Sequence, residues 1–375
     1  MKIVVAPDSF KGTLSAYEAA SLIAKAAKEC FPEAQVISVP LADGGEGSLA
    51  CFRSAIGGNY VPVKVCNPYL EPIEAKYLLK DDLAVIEIAE CVGLPLVEGR
   101  KHVRLTSTYG VGEIIRDALD KGVKEIVLAL GGSSTNDGGA GMAVALGARF
   151  TDEEGMPILP TGGTLEDIYA ADFSELDKRI GDVKFTAMCD VNVPLCGEDG
   201  ATYVFAPQKG AAYDELEALD KGMRHYGEIL NAAFGIDVFA LEGGGAAGGL
   251  GAGAFAILNA EPERGIDLVL RVIDFEKIIS DADMIVTGEG RLDKQSFMGK
   301  AADGISRIAQ AHGVPVYVIA GAVADDVTAS LLTSRGIVAA MATSAGDRPL
   351  FEIADSAQKD LYETAKELFK AVKEL

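Results

Sequence analysis

The chain has 375 residues, 49% of them apolar and 24% charged, the proportions of a folded globular protein, and at this length two domains are expected. Lysine and arginine number 34 against 56 aspartates and glutamates, a net charge of −22 that repels phosphate backbones and argues against nucleic acid as a partner. No run approaches the roughly 20 apolar residues of a membrane helix, and MKIVVAPDSF lacks a signal-peptide pattern, so a cytoplasmic protein is expected.

The chain opens with a short apolar run at 3–7 (IVVAP), of the kind a buried parallel strand shows. A helix then starts at Ser15-Ala-Tyr-Glu18, which has capping-box spacing, and ends near Cys30. A strand at 35–41 (QVISVPL) completes a βαβ unit whose strand ends lead into polar loops at 8–12 and 43–47. The middle is mixed: 74–80 and 83–89 read as a hairpin, 106–121 as a helix, 125–130 (EIVLAL) as a buried strand, 140–149 as a helix, and 183–189 and 201–206 as further strands. The end returns to alternation, with strands at 283–287, 315–320 and 337–342, helices near 299–312 and 325–335, and a last helix from about 351. In that helix Ala357, Leu361, Ala365, Leu368, Val372 and Leu375 make one apolar stripe. Two βα units at the start and three at the end give a doubly wound parallel sheet. The predicted fold is therefore α/β, with a discontinuous domain of residues 1–61 and 281–375 and a second domain, 62–280, inserted, its sheet order open.

Six cysteines without a C-x-x-C pair argue against a disulfide scaffold. His102, His225 and His312 stand far apart, which argues against zinc and a Ser-His-Asp triad. Chemistry must then run on carboxylates, lysines, hydroxyls and backbone amides.

Glycine supplies 43 residues and clusters at 43–47, 131–141, 243–253 and 288–290. Gly131-Gly132-Ser133-Ser134-Thr135-Asn136-Asp137-Gly138-Gly139 follows a buried strand and precedes a small-residue helix, so it suits a phosphate or carboxylate; the competing reading is a tight turn. Residues 243–248 match G-x-G-x-x-G, and Asp267 lies 19 residues on, but no opening βαβ unit surrounds them. Gly245 there reads as a point of phosphate or substrate approach, with dinucleotide binding or plain helix packing as alternatives. No G-x-x-x-x-G-K-[ST] and no protein-kinase motif set is present.

Ser9-Phe10-Lys11-Gly12 and Pro207-Gln208-Lys209-Gly210 each place a lysine beside glycine, where a mobile ammonium can follow a transferring phosphoryl group; each can equally be a surface lysine. Asp8, Asp43, Glu46, Asp190, Glu289 and Asp293 lie where strands are expected to end, positions suited to a metal ion or a ligand hydroxyl, with caps and turns as the competing reading.

The motifs APDSFKGTLSA (6–16), PLADGGEGS (40–48), LGGSSTNDGGAGM (130–142), CDVNVPLCGEDGA (189–201), FAPQKGA (205–211), GGGAAGGLGAG (243–253) and TGEGRLDKQS (287–296) together resemble the bacterial glycerate kinase family over essentially the whole chain. Two departures stand out: Thr13 where the family often has serine, and Asp190-Val-Asn-Val-Pro194 where it often has D-V-x-N-P. The resemblance implies a flavodoxin-like domain built from both chain ends with an inserted α/β domain. It also implies Mg2+ and ATP as cofactors and D-glycerate as substrate, with 2-phosphoglycerate as product.

The expected mechanism is in-line phosphoryl transfer, with Asp190 accepting the hydroxyl proton, Lys11 and Lys209 offsetting developing charge, and Asp43, Glu289 or Asp293 holding Mg2+. Ser9, Asp43, Gly131, Gly132, Ser133, Ser134, Asn136, Asp137 and Gly245 are the expected phosphate or substrate contacts. An NAD-linked hydroxy-acid dehydrogenase and a non-catalytic glycerate or nucleotide sensor are the alternatives, and self-association of the chain stays open.

Overall fold

A computed structural model describes residues 1–10, 12–41, 47–297, 299–343 and 350–374. It divides into two compact units, the first formed by Met1–Asp43, Ala50–Gly57 and Arg264–Leu375, the second by Gly44–Leu49 and Gly58–Glu263.

The strands in chain order are β1 (Lys2–Val5), β2 (Gln35–Ser38), β3 (Asn59–Cys66), β4 (Pro72–Lys80), β5 (Leu83–Glu87), β6 (Glu125–Ala129), β7 (Arg149–Thr151), β8 (Pro157–Ile158), β9 (Ala170–Asp172), β10 (Lys184–Met188), β11 (Glu261–Glu263), β12 (Met284–Leu292), β13 (Val316–Val323) and β14 (Ile337–Ala342).

In the first unit the sheet order is β14-β13-β12-β1-β2 with every pair parallel, which is the flavodoxin-like order 2-1-3-4-5 counted within the unit. The helix Ala16–Cys30 opens on the capping box its sequence announces: the Ser15 hydroxyl accepts from the Glu18 N–H at 3.2 Å and Glu18 accepts from the Ser15 N–H at 2.9 Å. Its buried Ala19, Ile23 and Ala27 pack with Ala357, Leu361, Ala365 and Leu368 of the helix Leu350–Glu374 over one face of the sheet.

The second unit centres on a six-stranded sheet, β11-β10-β6-β5-β4-β3. Here β5, β6, β10 and β11 run parallel, while β3, β4 and β5 form an antiparallel meander through the expected hairpin. The apolar runs of β6 and β10 are buried on both faces, as central parallel strands require. A small antiparallel sheet, β8-β7-β9, completes the unit.

Four expectations need correction. Residues 201–205 are helix rather than strand: Ala201 and Thr202 face the interior and Val204 faces solvent, so packing overrides the β-propensity of Thr-Tyr-Val-Phe. The helix expected over 140–149 stops at Ala145, and Arg149 already belongs to β7. The 61/62 boundary cuts β3, which is paired to β4 along its whole length. Residues 264–280 belong to the first unit, with the helices Gly265–Val272 and Phe275–Ile279.

Candidate active site

In the first unit β1 and β12 are tied together at their carboxyl ends. Ala6 and Asp8 donate their N–H groups to the Val286 and Gly288 carbonyls, each at 2.8 Å, and the buried Thr287 hydroxyl donates to the Ala6 carbonyl at 2.8 Å. The strand order reverses between these two strands, and open α/β sheets bind ligands outside such a point.

Glu289 stands there, 8% exposed. Its Oε2 accepts from the Ser296 hydroxyl at 2.9 Å, whereas Oε1 is buried without a hydrogen-bond partner. Burial pushes this carboxyl up to about 7; Asp8 and Asp293 push the same way, and Ser296 and Lys300 oppose them. Asp293 is half-buried and caps the turn Lys294–Phe297, its Oδ1 accepting from the N–H groups of Gln295 at 2.9 Å and Ser296 at 3.2 Å. The Ser9 N–H donates to Asp8 Oδ1 at 2.6 Å. Lys11, Asp43 and Glu46 lie outside the described residues.

Among the described residues no three His, Cys, Asp or Glu side chains are grouped so as to enclose a metal ion. A buried carboxylate oxygen without a donor, in an acidic corner, nevertheless fits a hard cation. Mg2+ usually keeps several waters and takes one or two carboxylates together with substrate phosphates. Glu289 with Asp293 is a donor set of that size.

In the second unit the parallel strands β5, β6 and β10 end on one edge, so the loop after β6 and the segment after β10 lie side by side. Asp190, two residues beyond the end of β10, is exposed. Its neighbour Cys189 anchors the segment, donating its N–H to the Glu263 carbonyl at 3.0 Å and its thiol to the Val191 carbonyl at 3.3 Å.

The 131–139 loop is two structures in one. From Ser133 to Gly139 it is buried and its polar groups turn inward. Asp137, with no solvent exposure, accepts from the Thr108 N–H at 2.7 Å, the Thr108 hydroxyl at 2.9 Å and the Gly141 N–H at 3.1 Å. Burial raises its carboxyl, and these donors work against that. Ser134 donates both N–H and hydroxyl to the Val92 carbonyl, each at 2.8 Å. The Ser133 hydroxyl lies 2.9 Å from that of Thr135, and Asn136 Nδ2 donates to Thr202 at 3.1 Å. Ser133, Ser134, Asn136 and Asp137, expected as ligand contacts, thus all have partners within the protein, although Asn136 Oδ1 is buried without one. Gly131 and Gly132 are half-buried, and no backbone hydrogen bond of the described residues uses their N–H groups.

Lys209 also departs from expectation. It is 2% exposed, and its ammonium donates to the Thr135 carbonyl at 2.8 Å. Burial draws it down to about 7, opposed by Asp137. A side chain held this way braces the loop in place of the mobile ammonium its setting between Gln208 and Gly210 suggests.

Gly245 is likewise a packing glycine. Its N–H donates to the Val193 carbonyl at 2.9 Å, and a Cβ there would stand 2.3 Å from the Pro194 oxygen. The neighbouring Gly248 receives the Gly138 N–H at 3.0 Å, and a Cβ on it would stand 1.9 Å from the Thr135 oxygen. Residues 236–241 contain no strand, so the strand-turn-helix setting of a dinucleotide loop is missing. Sequence reasoning overlooked Ser296 and Thr108, the donors that orient Glu289 and Asp137. Ser296 falls within TGEGRLDKQS, so proximity to Glu289 in sequence was the available signal.

A flavodoxin-like sheet with acids where its strand order reverses, and a second unit whose mixed sheet carries a glycine loop and a carboxylate at its carboxyl edge, define a two-unit α/β protein. Residues 3–373 match the model of the glycerate kinase family. The chain is 42% identical over 376 residues to "Glycerate kinase" of Bacillus subtilis (100% of this chain, 98% of that one), and 43% identical over 330 residues to "Glycerate 2-kinase" of Escherichia coli K12 (87% of each). A crystal structure from Salmonella typhimurium LT2, carrying the provisional name glycerate kinase 2, superposes with a TM-score of 0.88 at 40% identity, covering 100% of this chain and 98% of that one. The chain belongs to the glycerate kinase family and is an enzyme of that activity. No helix among the described residues is long and apolar enough to cross a membrane.

Proposed function

We propose that the enzyme transfers the γ-phosphoryl group of magnesium-bound ATP to the 2-hydroxyl of D-glycerate, giving 2-phosphoglycerate. The observation that carries the metal and nucleotide part is the buried, unpartnered Oε1 of Glu289. Likeness to the Escherichia coli protein named for the 2-position supports the regiochemistry. Bound Mg2+ supplies neutralisation of charge on the phosphate oxygens.

Asp190 accepts the hydroxyl proton, so that the glycerate O–H bond breaks as its oxygen bonds to phosphorus and ADP departs. Glu289 offers Oε1 to the cation in its ionised form, with Ser296 fixing the other oxygen. Asp293 acts beside it through water. The N–H groups of Gly131 and Gly132 take an anionic oxygen, either of phosphate or of the glycerate carboxylate. Asp137 and Lys209 hold the inner half of that loop so that its outer half keeps its shape.

One incubation with Mg-ATP and D-glycerate, followed by phosphorus NMR with proton coupling, tests the reading. Phosphorus on the secondary hydroxyl couples to one proton and gives a doublet. A triplet, from phosphorus on the primary hydroxyl, or no glycerate phosphate at all, overturns it.

A further inference from the structure

The residues proposed to act in the second unit lie at the carboxyl edge of its sheet, whereas a sizeable hollow lies at the other edge, where β10 and β11 begin. There a cavity of about 540 Å3 opens to solvent, walled by Phe185, Phe234, Phe255 and Ile257, with the exposed Lys178 and Lys184 beside them. Volumes of roughly 300–1,000 Å3 lined by aromatic side chains with a few polar groups are typical of small-molecule sites.

The four charged side chains that line it, Asp177, Glu261, Lys178 and Lys184, balance in number but not in pairing. Asp177 lines the cavity too, but its carboxylate is held by the Arg179 guanidinium at 2.6 Å. Glu261 sits 3.8 Å from Lys184. Lys178 has no ion-pair partner among the described residues, so its ammonium is open to an added anion. Aromatic walls beside an ammonium without an ion-pair partner suit a small organic anion with a flat apolar body.

This site is separate from the catalytic edge. Phe185 is near the start of β10 and Asp190 lies just past its end, roughly 15 Å away at strand rise. The two edges nevertheless share an element. The helix Leu250–Ile257, buried throughout, ends in the cavity wall at Phe255–Ile257 and begins next to Gly248, which accepts from Gly138 of the 131–139 loop.

We propose that this cavity is a second binding site of the enzyme, taking a small amphipathic organic anion with an aromatic or apolar body. The test uses the fluorescent sulfonate 8-anilinonaphthalene-1-sulfonate as probe on the full chain, in the absence and presence of saturating Mg-ATP and D-glycerate. One saturable site is expected, not displaced by the substrates. Affinity should fall roughly fivefold or more in Lys178→Glu, which reverses a charge beside the anion. It should fall roughly tenfold in Ala256→Leu, which fills part of the wall. Lys178 is on the surface, so its variant folds and decides the matter even if Ala256→Leu does not. No saturable binding, displacement by the substrates, or an affinity unchanged in Lys178→Glu overturns the proposal.

Discussion

Lys209 reaches into the interior and donates its ammonium to the carbonyl oxygen of Thr135, itself fully buried, at 2.8 Å. A lysine out of water is easier to keep neutral than charged, and its folded-state value of about 7 lies below its ordinary 10.5. Between those values the unfolded chain binds more protons than the folded one, so this group makes stability rise with pH from about 7 towards 10.5, and its contribution is constant below about 7. The expected slope is on the order of 1 kcal/mol per pH unit. Lys209→Met should flatten it, as urea unfolding at pH 7, 8 and 9 will report; an identical slope in both proteins refutes the assignment.

Asp137 is the complementary anchor of the same loop. Asp137→Ala strands the Thr108 and Gly141 donors in the interior, and removing one partner from a buried charged network costs about 3–5 kcal/mol. A loss below about 1 kcal/mol in denaturant unfolding would place this residue among ordinary surface substitutions and contradict the bracing role.

For Asp190 the proposal separates rate from binding. Asp190→Asn keeps shape but removes the basic oxygen, so kcat should drop roughly 10²–10⁴-fold while the glycerate KM moves little. A kcat close to that of the parent enzyme transfers proton acceptance to another carboxylate.

Glu289→Gln and Asp293→Asn probe the cation. Asparagine caps helical turns about as well as aspartate, so Asp293→Asn leaves the Lys294–Phe297 turn intact and changes only charge. Both variants should need more magnesium for half-maximal rate, with partial rescue at excess. An unchanged magnesium dependence in both argues that neither carboxylate serves the metal.

Much of the framework is legible locally. The Ser15–Glu18 capping box, the hairpin of β4 and β5 and the stripe from Ala357 to Leu368 depend on neighbours a few residues away, and alternation of strand and helix at both ends implies the parallel sheet. The site is less readable because a sequence displays donors but not their direction. Serine, asparagine and aspartate among glycines look the same whether they face a ligand or, as Ser134 and Asp137 do, the protein interior. Lys209 misleads for the same reason: whether its ammonium meets water or Thr135 depends on residues more than seventy positions away. Gly245 and Gly248 fit a nucleotide motif by spacing, while their need for glycine comes from backbone crossing at Pro194 and Thr135.

The discontinuity of the first sheet matters during synthesis. β1 sits between β2 and β12, and β12 leaves the ribosome roughly 250 residues after β2. At typical elongation rates of about 5–20 residues per second the amino-terminal βαβ segment waits on the order of 10–50 s with the β12 side of β1 uncovered, while the whole inserted unit emerges and is free to fold. Translation speed through the middle of the message therefore sets how long an aggregation-prone strand edge stays exposed in the nascent chain.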